Sequence, residues 1–238
     1  MNSSKAFSPS TVDWCEGNVD MQLFNVTAEP LNTITNLSFL YLAFKGFSTQ
    51  SEMNEVSLLF LSCGLIGIGS ACFHGTLTRW GQTADELAMI VEVALYIYVL
   101  YDVDNASLIA TSLYISLTAL CIFAYLHLDI PPLAFQTAYG LLVAFVAVSC
   151  MVRLRPFILS SRERQTMAQC IASGFVGSLF WLIDYHQCGL FDDLNVYPIG
   201  HALWHLLTSY CCYLSICSLQ ILKEKESVYH KLRRSRFG

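Results

Sequence analysis

The stretch GHALWHLL sets His201 and His205 four residues apart in a run, Gly200 to Gln220, that holds no Lys, Arg, Asp or Glu. On a helix that spacing puts both imidazoles on one face. Ser70 and His74, in GSACFHGTL, repeat the spacing. Asp85 and Glu86 lie near the start of GQTADELAMIVEV, and Asp184 ends FWLID. Ionisable groups inside apolar helices are costly and mark functional interiors. Three neutral imidazoles suit Zn²⁺, and three protein ligands leave a fourth position for water, as in hydrolytic sites. On this reading His74, His201 and His205 are the zinc ligands. Asp85 is the base that takes a proton from water, and Ser70 orients water or donates to a developing oxyanion.

These residues can meet only if their helices bring them to one level. The 238-residue chain is 55% hydrophobic and only 13% charged, against about a quarter charged in soluble domains. Runs near the roughly 20 apolar residues that a membrane helix needs fall at about Leu31–Phe47, Glu55–Phe73, Gln82–Tyr101, Ala106–His127, Pro132–Met151, Gln165–Ile183 and Ile199–Leu222. They are too long for barrel strands. The predicted fold is all-α, a polytopic seven-transmembrane-helix bundle. The opening stretch MNSSKAFSPSTVDWCEGNVD is polar, without the apolar core of a signal peptide, so Leu31–Phe47 is expected to act as the first span.

Charge sets the expected orientation. Lys45, Arg153, Arg155, Arg162, Arg164 and the basic residues after Leu222 fall on one side of a seven-span bundle; the other side holds only Lys5 and Arg79 among the basic residues, with Asp13, Glu16, Asp20, Glu29, Asp129, Asp192 and Asp193. The N-terminus is therefore expected to be extracytoplasmic and the C-terminus cytoplasmic. Ser70, His74, Asp85, Asp184, His201 and His205 then all lie at the outer level of the membrane. Three regions follow: an acidic extracytoplasmic segment (1–30), the membrane bundle (31–222) and a basic cytoplasmic tail (223–238) that reads as an anchor near anionic lipid rather than a nucleic-acid arm. Of ten cysteines only Cys15 and Cys188 fall in outer loops, and an oxidising face would pair them. Glu92, deeper in the third run, is expected to make a structural hydrogen bond. His127 and His230 read as solvated, and His186 as a loop residue.

The ordered blocks VDWCEGN, AEPLNTITN, GSACFHGTL, GQTADELAMI, WLID and HALWH resemble those of the alkaline ceramidases, seven-helix intramembrane zinc hydrolases related to the adiponectin receptors. The resemblance runs from Val12 to about His205. It implies zinc at His74, His201 and His205, Asp85 as proton acceptor and Ser70 as helper. It further implies Ca²⁺ at Asp13, Trp14 (through its carbonyl), Glu16, Asn18 and Glu29, oxygen ligands of the kind a hard cation takes. Two departures stand out: the chain between Asn18 and Glu29 is longer than the family pattern, and Pro30 stands where an aromatic residue is common. The implied reaction is hydrolysis of ceramide to a sphingoid base and a free fatty acid, with a ceramide-like lipid entering sideways from the bilayer. Alternatives are a seven-helix lipid-responsive receptor, or a hydrolase of another acyl lipid. An extracytoplasmic N-terminus and the DWCE block argue against the receptor. A retinal protein would need a lysine that the run from His201 to Leu222 lacks.

Overall fold

Capping signals in the sequence place most of the helix starts. In a computed structural model, which describes residues 8–12, 14–18, 27–102, 107–194 and 196–237, the described chain forms a 3-10 turn (Cys15–Asn18) and nine helices. These are α1 (Pro30–Thr35), α2 (Leu37–Phe47), α3 (Glu55–Thr76), α4 (Arg79–Leu100) and α5 (Leu108–His127), followed by α6 (Pro132–Leu154), α7 (Ser161–His186), α8 (Cys188–Leu194) and α9 (Gly200–Phe237). Asn54 and Ser57 form a capping box at α3, as Ser160 and Glu163 do at α7. The Thr78 hydroxyl accepts the Gly81 N–H at α4. Each arrangement satisfies N–H groups that a helix start would otherwise strand. Pro30 sits at the first position of α1, where its missing N–H costs nothing.

Five helices, α3, α5, α6, α7 and α9, are long and apolar enough to cross a membrane. The lipid-facing character is plainest on α5 and α6, where Leu108, Ile109, Leu133 and Leu141 are exposed. The chain is an all-helical integral membrane protein. Two of the seven expected runs differ from simple spans. The first is divided at Asn36 into α1 and α2. There the Asn36 amide donates to the Asn32 carbonyl and the Thr35 hydroxyl to the Leu31 and Asn32 carbonyls, and such side-chain bonds compete with the regular ladder. The third, α4, carries Asp85, Glu86 and Glu92 along its length. The last run also outlasts its expected end at Leu222: α9 continues unbroken to Phe237. No Gly or Pro interrupts it after Gly200, and Lys, Glu, Leu and Arg are good helix formers. Ion pairs Arg153–Glu226 (2.6 Å) and Lys225–Glu163 (3.0 Å) tie the extension to α6 and α7.

α2, α3, α4, α6 and α9 share one core, built around Phe39, Leu59, Phe60, Leu100, Leu154, Ile216, Leu219 and Leu222. Two glycines bring α3 and α4 unusually close. A Cβ on Gly69 would lie 2.7 Å from the Ala84 carbonyl oxygen and 3.0 Å from the Asp85 Cα. A Cβ on Gly81 would lie 2.8 Å from the Phe73 Cα. This near contact puts Asp85 beside Ser70, and the start of α4 beside His74. The hairpin between them turns at Leu77, in the left-handed conformation (φ 45°). The N-terminal segment is fastened there: Ser10 and Leu77, and Arg79 and Ser8, share backbone hydrogen bonds, and the Gln82 amide oxygen accepts from the Thr11 N–H and hydroxyl.

Candidate metal centre

α3 and α9 carry their histidines to one buried point. One ligand atom from each of His74, His201 and His205 lies within 4.8 Å of the other two, and all three residues are buried. Ring centroids are 4.6 to 4.9 Å apart.

The surroundings fix which ring nitrogens can act as ligands. Nδ1 of His74 lies 2.5 Å from Glu29 Oε2. An ionised carboxylate only accepts, so Nδ1 carries the proton and the lone pair is left on Nε2. That Nε2 is buried with no hydrogen-bond partner. Nδ1 of His205 lies 3.0 Å from Thr35 Oγ1. The Thr35 hydroxyl already donates to backbone carbonyls, so it accepts from His205 and again frees Nε2, which faces Ser70 Oγ at 3.4 Å. Nδ1 of His201 is a further buried nitrogen without a partner. Burying lone pairs unused is costly. Three neutral imidazoles, two with an orphaned nitrogen and two oriented from behind by an oxygen, form the donor set that zinc takes.

The N-terminal segment and α7 buttress His201. Its ring stacks on Trp14 with centroids 3.6 Å apart and planes at 23°. Its backbone N–H donates to Asp184 Oδ2 (3.0 Å), while Asp184 Oδ1 accepts the Cys15 N–H (3.1 Å). One carboxylate at the end of α7 thus caps α9 and holds the N-terminal segment in place. Cys15 and Cys188 are joined in a disulfide, covalently linking that segment to α8.

Glu29 meets the histidine cluster directly. Its Oε1 accepts the Trp14 N–H (3.0 Å), and its Oε2 accepts from the Asn32 amide (3.2 Å) as well as from His74. Glu16, also buried, accepts the N–H groups of Leu31 and Asn32, both at 2.7 Å, and the Tyr197 hydroxyl at 2.7 Å. Burial, reinforced by that bond to Glu16, pushes the Tyr197 phenol above its ordinary range and keeps it a donor. Of the five residues expected to bind calcium, Asp13 and the side chain of Asn18 lie outside the described residues. Trp14, Glu16 and Glu29 are brought together, but they present fewer than the about six to eight oxygens that calcium takes.

Asp85 is half-buried, and among the described residues its carboxylate has no hydrogen-bond partner. Its neighbour Glu86 accepts from Tyr125 (2.5 Å) and Gln82 (2.8 Å). Glu92 is buried, and among the described residues it does not make the structural hydrogen bond expected of it. Thr35 and Asp184 had no assigned role in the sequence, and Glu29 none toward zinc. Glu29 stands 45 positions from His74 and Thr35 stands 170 from His205. WLID marked Asp184 as an outer-level acid, but nothing in that motif pointed to the His201 backbone.

The family model named Ceramidase matches residues 7–235. An alkaline ceramidase of Arabidopsis thaliana is 32% identical over 227 residues, covering 89% of this chain and 85% of its own. Alkaline ceramidase 3 of Mus musculus is 30% identical over 225 residues, 87% of this chain and 81% of its own. Alkaline ceramidase YPC1 of Saccharomyces cerevisiae is 26% identical, over 90% and 77%. With a match along nearly its full length, the chain belongs to the Ceramidase family of hydrolases.

Proposed function

We propose that this chain is a zinc-dependent intramembrane ceramidase, cleaving the amide of a ceramide-like lipid to a sphingoid base and a free fatty acid. The observation that carries the reading is the buried meeting of His74, His201 and His205, with ring nitrogens of His74 and His201 left without a partner. Bound there, zinc would supply Lewis-acid activation of water and of the amide carbonyl. Glu29 and Thr35 hold His74 and His205 as neutral donors; Asp184 and Trp14 position His201.

Hydrolysis adds water across the C–N bond. The water oxygen bonds to the carbonyl carbon, one water proton passes to Asp85, and Asp85 returns it to the nitrogen as the C–N bond breaks. Ser70, 3.4 Å from His205 Nε2, donates to the oxygen that gains charge. The close α3–α4 contact at Gly69 supports this division of labour, since it sets Ser70 and Asp85 side by side.

In the same reading α1 with α2, and α4, complete a seven-span bundle whose N-terminus faces the extracytoplasmic side, and the substrate enters from the bilayer. A calcium ion at Asp13, Trp14, Glu16, Asn18 and Glu29 belongs to the proposal through the resemblance alone, and no step depends on it. The test is turnover of a ceramide panel by purified protein alongside its zinc content. Ceramide cleavage that disappears in His74→Ala together with the metal supports the assignment. A metal-replete protein that leaves every ceramide intact but cleaves another acyl lipid would shift it to that substrate.

A further inference from the structure

α7 and α9 pack tightly toward the metal centre. A Cβ on Gly177 would lie 3.2 Å from the Leu207 Cβ, one on Gly174 would lie 3.0 Å from the Cys211 sulfur, and the sulfurs of Cys170 and Cys211 are 3.8 Å apart. Toward the opposite membrane surface a cavity of about 550 Å³ opens between the two helices. Arg162, Gln165 and Gln169 line it from α7, and Tyr213, Gln220 and Glu224 from α9. Glu163, also in the lining, pairs with Lys225 at 3.0 Å, and Lys225 donates to the Ile158 carbonyl at 3.3 Å.

Polar side chains share the lining with Leu214, Cys217 and Ile221, although both helices are long and apolar enough to cross a membrane. Among the described residues, the guanidinium of Arg162 has neither a carboxylate within ion-pair distance nor a hydrogen-bond acceptor, and the amides of Gln165 and Gln220 are equally unpaired. A second cation flanks the cavity: Lys45 of α2 places its ammonium 5.4 Å over the Tyr213 ring, and it too has no carboxylate partner among the described residues. Of the two lining carboxylates, Glu163 is occupied by Lys225 and the Ser160 N–H, and Glu224 is exposed. With Lys45 included, two cations without an ion-pair partner among the described residues, Arg162 and Lys45, stand against the one carboxylate of Glu224. An arginine fork beside amide donors matches a phosphate, which takes several hydrogen bonds and the charge together.

We propose that this cleft binds the phosphate-bearing headgroup of an anionic phospholipid. Arg162 grips the phosphate, Lys45 adds long-range attraction, and Gln165 and Gln220 bond the ester or glycerol oxygens. Basic pockets between membrane helices near a bilayer surface recognise such headgroups. A lipid rather than a soluble phosphate is favoured by the ground above the cavity. Val176, seven residues along α7 from Gln169, and Leu206, seven back along α9 from Tyr213, are 40% and 44% exposed on the same helix faces, where acyl chains can lie.

The test uses full-length protein in phosphatidylcholine nanodiscs containing phosphatidic acid, with lipids retained through purification counted by native mass spectrometry. Two basic groups near a membrane surface correspond to about thirtyfold in occupancy. Wild type should retain phosphatidic acid over phosphatidylcholine, and Lys45→Gln with Arg162→Gln should lose that preference by about this factor. Arg162→Gln alone, at an exposed position, should lose part of it and serves should the double variant not fold. Arg155→Gln, outside the cleft, should lose none. Equal retention by wild type and both Arg162 variants overturns the proposal. Full competition by inorganic phosphate overturns the lipid source, leaving a site for free phosphate. The readout is binding, so its failure is distinct from any failure to hydrolyse ceramide.

Discussion

Glu29→Gln removes one charge and one acceptor from behind the metal centre while keeping size and shape. The native carboxylate accepts at both oxygens: Trp14 N–H on one side, His74 Nδ1 and the Asn32 amide on the other. An amide offers one acceptor and one donor, so no rotamer serves both sides. If its oxygen faces Trp14, its NH₂ opposes the His74 Nδ1–H, which drives the proton to Nε2 and removes the ligand lone pair. If its oxygen faces His74, the buried Trp14 N–H is stranded at about 1–3 kcal/mol. Loss of such an outer partner lowers metal affinity by about 10- to 100-fold, about 1.4 to 2.7 kcal/mol. Chelator competition on purified protein would measure it. Thr35→Val, which removes only a neutral acceptor from His205, should cost less. Zinc affinity in Glu29→Gln within about twofold of wild type, at native thermal stability, would refute the orientation of His74 by Glu29; a tenfold loss sets the lower end of the expected range.

Asp85→Ala should retain zinc and lose about 10²- to 10⁴-fold in kcat, the usual worth of a positioned acid–base group; near-normal turnover would remove Asp85 from the chemistry. Asp184→Ala strands the Cys15 and His201 N–H groups, so the melting temperature should drop by several degrees, at about 1–3 kcal/mol per stranded group and about 2–4 °C per kcal/mol. Asp184→Asn, which keeps one acceptor oxygen, should drop it by less, and a thermal-shift series would show the order. Gly69→Val drives a side chain into the Ala84 carbonyl. Overpacking of this kind costs about 1–3 kcal/mol, and by parting Ser70 from Asp85 it should depress turnover more than zinc content.

The faces that bring His74, His201 and His205 together were readable because helical periodicity is local. His201 with His205, and Ser70 with His74, must share faces wherever their helices go, and charge placement alone suggested a common membrane level. The helix interiors were readable for the same reason, since apolar runs follow from the bilayer. What escaped depends on tertiary packing. Glu29 approaches His74 only because the chain before α1 lies against the end of α3, where the Glu29 N–H donates to the His74 carbonyl. Asp184 was visible as an acid at the outer end of α7, but its acceptors' partners are backbone groups, which no side-chain pattern reveals. The division at Asn36 arises from side-chain bonds inside an otherwise apolar run. α9 runs on past the apolar stretch that stops at Leu222, because helix propensity does not stop with hydropathy.

Zinc stoichiometry of purified wild type, set beside His74→Ala, His201→Ala and His205→Ala in the same preparation, bears most directly on the metal centre. One zinc per chain in wild type, lost from each variant together with ceramide cleavage, is the expected result. Active protein free of transition metal, or single-histidine variants that keep both zinc and turnover, would contradict it.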